Sequence, residues 1–333
     1  MKRIAVMGAG SWGTALGIVA ARAGHEVTLW SRNPTVVSAI NRDRVNSIYL
    51  ANAQLPDGMI ASVDIADALG GTELVIIATP SHATRNVLAA MASALPPAAI
   101  LISATKGIEI ESGKRISQLA EEVLGETLRA RFVCLSGPSF AKEVVARHPT
   151  AIVAASANAE AAAITQSALS LESLRIYTND DVVGTELGGS VKNVMAIAAG
   201  MVVGLGFGTN SVAALITRGL AEMSRLALAQ GGKLETMMGL AGLGDLVLTC
   251  TGSLSRNRFV GQELGKGRTL AEIQAGMHEV AEGVRTTVAV KHLAARAGVE
   301  MPIAEEVHKV LYEGKTVREA VTALMTRPLR DEF

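Results

Sequence analysis

Gly8-Ala9-Gly10-Ser11-Trp12-Gly13 is the stretch that decides the fold of the first half of the chain. The apolar run Ile4–Met7 precedes it, and a helical pattern over Thr14–Ala23 follows it. In a strand-to-helix turn with these glycines, the first allows the tight bend, the second lets the backbone approach a pyrophosphate, and the third permits close helix packing. The stretch therefore predicts a dinucleotide-binding loop, with a glycine-rich turn in another α/β protein as the alternative.

The glycines also bear on a possible secretory signal. Lys2-Arg3 followed by the uncharged segment Ile4–Ala21 has the basic head and apolar middle of such a signal. A signal helix has no need for glycines at fixed spacing, whereas a strand-to-helix turn does. We therefore interpret this segment as part of the folded protein.

Outward from the loop, short apolar runs alternate with helical patterns up to about residue 155. Such alternation predicts parallel βαβ units, and strands covered on both faces by helices are apolar throughout. The predicted strands are Ile4–Met7, Val27–Trp30, Leu74–Ala78, Ile100–Ser103, Phe132–Leu135 and Ala151–Ala154.

The sequence pattern changes after Tyr177-Thr178-Asn179-Asp180: strand patterns stop there, and helical patterns continue to the end. A length of 333 residues is enough for two domains. We predict an α/β protein in which an N-terminal Rossmann-type doubly wound sheet, residues 1–180, precedes an all-helical C-terminal domain, residues 181–333. The predicted helices there are Val212–Gln230, Leu270–Gln274, Arg285–Ala297 and Ile303–Tyr312.

One uncharged stretch, Asn193–Thr217, is long enough to cross a bilayer. Gly204, Gly206 and Gly208 would weaken a helix exposed to lipid. A buried helix, a glycine loop and a second helix explain the same residues. We predict a chain that does not span a membrane.

Composition excludes several classes of protein. The chain has 31 Lys+Arg and 31 Asp+Glu, so it lacks the basic excess of a nucleic-acid-binding protein. Its 2 cysteines form no CxxC motif, which disfavours a disulfide framework and favours the reducing cytoplasm. The 6 histidines are scattered and no HExxH occurs, so we predict no metal site.

The end of the second strand indicates which nucleotide binds. An NAD site usually carries an acidic residue about 20 residues after the glycine motif, but this chain reads Trp30-Ser31-Arg32-Asn33 there. Ser31 and Arg32 suit the 2′-phosphate of NADPH through charge-assisted hydrogen bonds. NADPH is therefore the predicted cofactor and NADH remains possible, since a solvated surface arginine is the alternative interpretation of Arg32.

Polar residues follow three neighbouring predicted strands, at the edge where open α/β sheets bind ligands. The segments are Thr79-Pro80-Ser81-His82, Thr105-Lys106-Gly107 and Ser136-Gly137-Pro138-Ser139-Phe140-Ala141. We expect them to line one crevice in which Lys106 orients an anion. A surface lysine before a turn is the alternative.

In the second domain, Lys192 and Asp245 both stand among small or apolar residues. Burial lowers the pKa of a lysine and makes it a usable acid or base, and pairing with Asp245 would remove the penalty of burying either charge alone. A structural ion pair is the alternative. Farther on, Ser255-Arg256-Asn257-Arg258 is predicted to start a helix as a phosphate cradle, or as an ordinary capped helix with solvated arginines.

Taken together, these motifs resemble the bacterial-type NAD(P)-dependent glycerol-3-phosphate dehydrogenases. The resemblance spans nearly the whole chain through Gly8–Leu16, Ala104–Gly107, Ser136–Glu143, Val191–Val194, Gly242–Leu246, Ser255–Arg258 and Val280–Gly283. It implies reversible reduction of dihydroxyacetone phosphate to sn-glycerol 3-phosphate, for phospholipid synthesis, by a cytoplasmic homodimer.

The resemblance also implies residue roles. Lys192 would donate and accept the proton at the carbonyl. Substrate contacts would come from Lys106, Gly137, Ser139, Lys192, Asp245, Ser255, Arg256 and Asn257. Besides the loop glycines, cofactor contacts would come from Ser11, Trp12, Arg32, Lys106, Ala141, Arg256, Val280 and Glu282. The chain departs from the family at Phe259, where a second arginine is usual, so a phosphate contact from that position is in doubt.

Two rival functions remain at this point. Another dehydrogenase with a helical second domain, such as a ketopantoate reductase or a 3-hydroxyacid dehydrogenase, would lack the Ser255–Arg258 cradle for a phosphorylated substrate. A catalytically silent NADP(H) sensor would have no use for charges such as Lys192 and Asp245 in its helical core. Turnover separates the sensor from the enzymes.

Overall fold

The computed structural model describes residues 1–277, 281–329 and 331–332. These residues form two compact units: one contains residues 1–106 and 114–186, and the other contains residues 107–113 and those from 187 onward. The last change of unit, between residues 186 and 187, falls inside the helix Val182–Gly204. The predicted domain boundary at residue 180 stays a prediction.

The first unit is built around an eight-stranded sheet with the strand order β10-β9-β8-β7-β6-β1-β2-β5. A two-stranded sheet of β3 and β4 stands apart from it. The strands are β1 Arg3–Met7, β2 Glu26–Trp30, β3 Val45–Asn46, β4 Leu50–Gln54, β5 Met59–Ser62, β6 Leu74–Ile77, β7 Ile100–Ser103, β8 Phe132–Ser136, β9 Thr150–Ala155 and β10 Leu174–Asn179.

Helices of the first unit follow these strands. They are α1 Ser11–Arg22, α2 Pro34–Ser38, α3 Ile65–Leu69, α4 Ser81–Met91, α5 Ile116–Leu124, α6 Ala141–Val145 and α7 Ala159–Leu169, with short helical turns at Ala39–Asp43 and Glu126–Arg131. The central strands β1, β6 and β7 are apolar and almost fully buried, as sheets covered on both faces require. The predicted Rossmann-type sheet is confirmed.

Two strands run opposite to the rest of the large sheet, whereas the sequence predicts parallel βαβ units. Strand β9 pairs antiparallel with β8, and β10 then pairs parallel with β9. The connection from β8 to β9 contains only the five-residue helix α6. The chain therefore returns along the neighbouring strand in the opposite direction, instead of making the helical crossover that a parallel pair usually needs.

From residue 187 onward, the described residues form helices and connecting loops only. The helices are α8 Val182–Gly204, which begins in the first unit, α9 Thr209–Ala229, α10 Leu234–Met238, α11 Asp245–Thr251, α12 Arg256–Gly265, α13 Leu270–Ala275, α14 Glu282–Ala297, α15 Pro302–Tyr312 and α16 Val317–Met325, with a helical turn at Leu240–Gly244. The predicted all-helical second half is confirmed.

Helix α8 contains the first part of the long uncharged stretch, from Asn193 to Gly204. It is long and apolar enough to cross a membrane by length and composition, but 89% of its most apolar window is buried inside the protein. The predicted glycine loop ends α8, and α9 follows at Thr209. The first turns of α9 differ from the predicted core, because Ala213 and Ala214 are exposed.

Candidate active site

The glycine loop has the geometry that its sequence predicts. Gly8 has φ +120°, and a Cβ there would stand 2.8 Å from the carbonyl oxygen of Ala78. A Cβ on Gly13 would collide with the carbonyl oxygen of Gly8. The turn and the close packing therefore both require glycine. At Gly10, by contrast, a Cβ would meet no atom within 4 Å, so the backbone there is open to a ligand.

Two side chains of the loop begin α1. The hydroxyl of Ser11 donates to the carbonyl oxygen of Tyr49 at 2.8 Å. Trp12 is half-buried, and its Nε1 is a buried donor without a hydrogen-bond partner in the protein. Farther along, Arg32 is exposed just beyond β2, where Ser31 Oγ accepts a hydrogen bond from the Asn33 N–H.

Hydrogen bonds join the three polar segments that follow β6, β7 and β8. The Thr105 hydroxyl donates to the carbonyl oxygen of Thr79 at 2.8 Å. Lys106 Nζ donates to the carbonyl oxygen of Gly137 at 2.8 Å, and the Ser139 hydroxyl donates to the same oxygen at 2.9 Å. The predicted residues Lys106, Gly137 and Ser139 thus form one cluster at the carboxyl ends of adjacent parallel strands.

In the second unit, Lys192 on α8 forms a buried ion pair with Asp245, the first residue of α11. Their side chains are 6% and 1% exposed. Lys192 Nζ also donates to Thr249 Oγ1 at 2.8 Å, and that hydroxyl in turn donates to the Asp245 carbonyl oxygen at 2.6 Å. We did not predict the contribution of Thr249, although its position four residues after Asp245 places both on one helix face.

A close helix approach brings the pair together. Gly188 lies one turn before Lys192 on α8, and a Cβ there would collide with the carbonyl oxygen of Ala241. Ala241 belongs to the helical turn that leads into Asp245. The missing side chain at Gly188 therefore lets α8 approach the segment that carries the carboxylate.

Burial also determines the protonation state of Cys250, the residue that follows Thr249. Loss of solvation raises the pKa of Cys250 to about 12, although the positive charge of Lys192 opposes this effect. Cys250 is consequently a neutral thiol at physiological pH and does not act as a nucleophile beside the ion pair.

The predicted phosphate cradle begins a helix. Ser255 is the residue before α12, and its hydroxyl accepts a hydrogen bond from the Arg258 N–H, while Arg256 is exposed. Asn257 is buried: its Nδ2 donates to Asn193 Oδ1 at 2.9 Å, and its Oδ1 accepts from the Gly283 N–H at 2.9 Å. The capped helix is therefore present, and phosphate binding stays a prediction.

The remaining predicted residues have different locations. Ala141 begins α6 and Glu282 begins α14, and both are half-buried. Val280 lies outside the described residues. Phe259 is 44% exposed on α12. Among the residues described, no group of three or more His, Cys, Asp or Glu side chains has an arrangement that could hold a metal ion.

Comparison with known proteins identifies relatives along the whole chain. Family models described as NAD-dependent glycerol-3-phosphate dehydrogenase N-terminus and C-terminus match residues 3–162 and 181–322. A glycerol-3-phosphate dehydrogenase [NAD(P)+] from Trichlorobacter lovleyi is 53% identical over 330 residues, which cover 99% of each chain. One from Koribacter versatilis is 52% identical over 334 residues, covering 100% of this chain and 99% of the relative.

A solved structure agrees with these matches. The crystal structure of glycerol-3-phosphate dehydrogenase from Coxiella burnetii superimposes with a TM-score of 0.94 at 41% identity, covering 98% of this chain and 99% of the other. The family resemblance inferred from the motifs is thereby confirmed.

Proposed function

The chain belongs to the NAD-dependent glycerol-3-phosphate dehydrogenase family of oxidoreductases, and we propose that it reversibly reduces dihydroxyacetone phosphate to sn-glycerol 3-phosphate, with NADPH as the preferred reductant. The observation that carries this proposal is the buried ion pair of Lys192 and Asp245. Reduction of a ketone adds a hydride to the carbonyl carbon and a proton to its oxygen. We assign the proton to Lys192.

The glycine loop fits a nicotinamide dinucleotide. The backbone is open at Gly10 and closed in at Gly8 and Gly13, as a pyrophosphate-binding turn requires. The buried Nε1 of Trp12 is a donor that the protein itself leaves unpaired, which supports a bound ligand beside the loop. When bound, the reduced nicotinamide supplies the hydride.

The preference for NADPH rests on the end of β2. Ser31-Arg32-Asn33 offers no carboxylate to accept a hydrogen bond from a ribose 2′-hydroxyl. Arg32 is exposed there, so its guanidinium can bind a ligand phosphate without first breaking contacts inside the protein. These two features together favour a nucleotide that carries a 2′-phosphate.

The environment of Lys192 suits a proton donor. Because the Thr249 hydroxyl donates to the Asp245 carbonyl oxygen, its own oxygen accepts from Lys192 Nζ. The Asp245 carboxylate supports the charged ammonium, and Thr249 fixes its direction. In the reverse reaction, the neutral amine left after proton transfer takes the proton of the alcohol.

The substrate phosphate needs its own contacts, which fix one end of the molecule during proton and hydride transfer. Arg256 at the start of α12 is exposed and can supply a guanidinium. We assign substrate binding to Lys106, Gly137, Ser139, Lys192, Asp245, Ser255, Arg256 and Asn257. The family resemblance alone suggests the cytoplasmic homodimer and the role in glycerophospholipid synthesis.

A substrate comparison tests this function. NADPH absorbance at the nicotinamide band should fall when the protein meets dihydroxyacetone phosphate, and far more slowly with unphosphorylated dihydroxyacetone. Equal rates with the two substrates would show that contacts to the substrate phosphate do not contribute to turnover. Absence of oxidation despite demonstrated NADPH binding would favour another carbonyl substrate or the sensor.

A further inference from the structure

A buried amide outside the glycine motif contacts that motif directly. Asn46, in β3, is 0% exposed. Its Nδ2 donates to the carbonyl oxygen of Ala9 and to Thr14 Oγ1, both at 2.8 Å. Its Oδ1 accepts from the N–H of Tyr49 at 3.3 Å. One side chain thus joins the glycine loop, helix α1 and the turn between β3 and β4.

The two atoms that receive these hydrogen bonds lie at the critical part of the loop. Ala9 stands between Gly8 and Gly10, and the N–H of Thr14 donates to the Gly10 carbonyl oxygen at 2.9 Å, which closes the first turn of α1. A second bond runs the other way, from the Ser11 hydroxyl to the Tyr49 carbonyl oxygen. The segment from Asn46 to Tyr49 therefore holds both ends of the loop.

We propose that Asn46 is a positioning residue for dinucleotide binding, an inference that rests on the glycine loop being the nucleotide site of the proposed function. A loop with glycines on both sides of Ala9 has more backbone freedom than one of other residues, and ordering it on binding weakens affinity. Asn46 fixes the Ala9 carbonyl before the nucleotide arrives. The residue acts on affinity for the nucleotide and leaves proton transfer unchanged.

The substitution Asn46→Asp separates this role from that of an ordinary turn residue. The carboxylate keeps the acceptor for the Tyr49 N–H and loses both donors to the loop. Asn41→Asp is the control: Asn41 Nδ2 donates to the Ala61 carbonyl oxygen at 2.9 Å and its Oδ1 accepts from the Ala61 N–H at 2.7 Å, so it holds the neighbouring segment to β5 instead of to the glycine loop.

The experiment measures the Kd of NADPH by nicotinamide fluorescence, together with kcat and both KM values. We expect Asn46→Asp to raise the Kd and the KM of NADPH at least about tenfold, a loss of about 1.4 kcal/mol. The kcat at saturating NADPH and the KM of dihydroxyacetone phosphate should stay within about twofold. Asn41→Asp should leave all four values within about twofold.

A second variant serves if Asn46→Asp does not fold. Thr14→Val removes one acceptor of the Asn46 amide with little change of shape, and it should raise the Kd of NADPH by about fivefold, since a single hydrogen bond contributes about 1 kcal/mol. An unchanged Kd in a folded variant overturns the inference, as does a parallel change in kcat and both KM values.

Failure of the proposed function can be distinguished from failure of the inference about Asn46. If the wild-type protein binds NADPH but does not reduce dihydroxyacetone phosphate, the substrate assignment is wrong and the fluorescence titration still decides the role of Asn46. If the wild-type protein binds no nicotinamide nucleotide, both proposals are overturned.

Discussion

Lys192 and Asp245 form an ion pair in which the side chains are 6% and 1% exposed, although 53 positions separate them in the sequence. Two charges buried this deeply are costly unless each compensates the other. Lys192 also donates a hydrogen bond to Thr249 Oγ1, so two groups fix the direction of the ammonium. The proposed proton donor is therefore part of the core of the second unit.

Loss of the carboxylate should damage both stability and turnover. Asp245→Asn removes the carboxylate that pairs with the buried Lys192 ammonium, and we expect the free energy of unfolding to fall by about 3 kcal/mol or more. Urea denaturation and NADPH oxidation measure the two effects. Thr249→Val is the matched comparison and should cost about 1 kcal/mol. Wild-type stability and rate in Asp245→Asn would show that the pair contributes to neither.

Removal of the guanidinium at the start of α12 should weaken binding of phosphate-bearing ligands. A hydrogen bond to a charged group contributes about 1.5–3 kcal/mol, so Arg256→Ala should raise KM about 10- to 100-fold for dihydroxyacetone phosphate, for NADPH or for both. Steady-state kinetics measure this change, with Arg318→Ala, an exposed arginine on α16, as the control. If both KM values are unchanged, Arg256 does not bind a phosphate.

A change at the end of β2 should alter cofactor preference. Arg32→Asp removes the partner of a 2′-phosphate and introduces an acceptor for a 2′-hydroxyl. We expect the ratio of kcat/KM for NADPH to that for NADH to fall by about tenfold or more. The two coenzymes are compared at the nicotinamide absorbance band. A constant ratio would mean that Arg32 is a solvated surface residue.

Glu222 makes stability depend on pH. It is 3% exposed, and its carboxylate accepts hydrogen bonds from the N–H groups of Ile303 at 2.8 Å and Ala304 at 3.3 Å. Burial raises its pKa from 4.5 to about 7, and the two N–H groups only partly offset this effect. Between these pH values the folded state binds more protons than the unfolded state, so the free energy of unfolding falls as pH rises.

The corresponding prediction concerns the slope of stability against pH. Glu222→Gln should remove a decrease of about 3 kcal/mol between pH 4.5 and pH 7, measured by denaturant unfolding at several pH values. Glu172→Gln, at an exposed position, should keep the wild-type slope. Parallel curves for wild type and Glu222→Gln would rule out this titration.

The sequence predicts most of the sheet because its central strands are uniformly apolar. The strands not predicted lie at the edges or in the small sheet: β5 and β10 end the large sheet, and β4, with the sequence Leu-Ala-Asn-Ala-Gln, has no β-branched residue. The direction of β9 was also predicted wrongly. A buried strand has the same apolar composition whether it runs parallel or antiparallel to its neighbour.

Some residues of the candidate site can be identified from the sequence, and others only from the structure. Lys192 and Asp245 could be paired from sequence because isolated charges in apolar segments need a partner. Asn46 has no such signal, since a single asparagine in a polar segment is an ordinary turn residue, and only its position against Ala9 and Thr14 distinguishes it. The contribution of Asn46 is therefore visible in the structure alone.

The most direct test of the account compares wild-type protein with Lys192→Ala, using dihydroxyacetone phosphate turnover and NADPH affinity as separate measurements. General acid catalysis contributes about 10²- to 10⁴-fold, so kcat should fall by about that factor or more, while the Kd of NADPH stays within about threefold. Near-wild-type turnover in the folded Lys192→Ala protein would contradict the assignment of Lys192 as the proton donor.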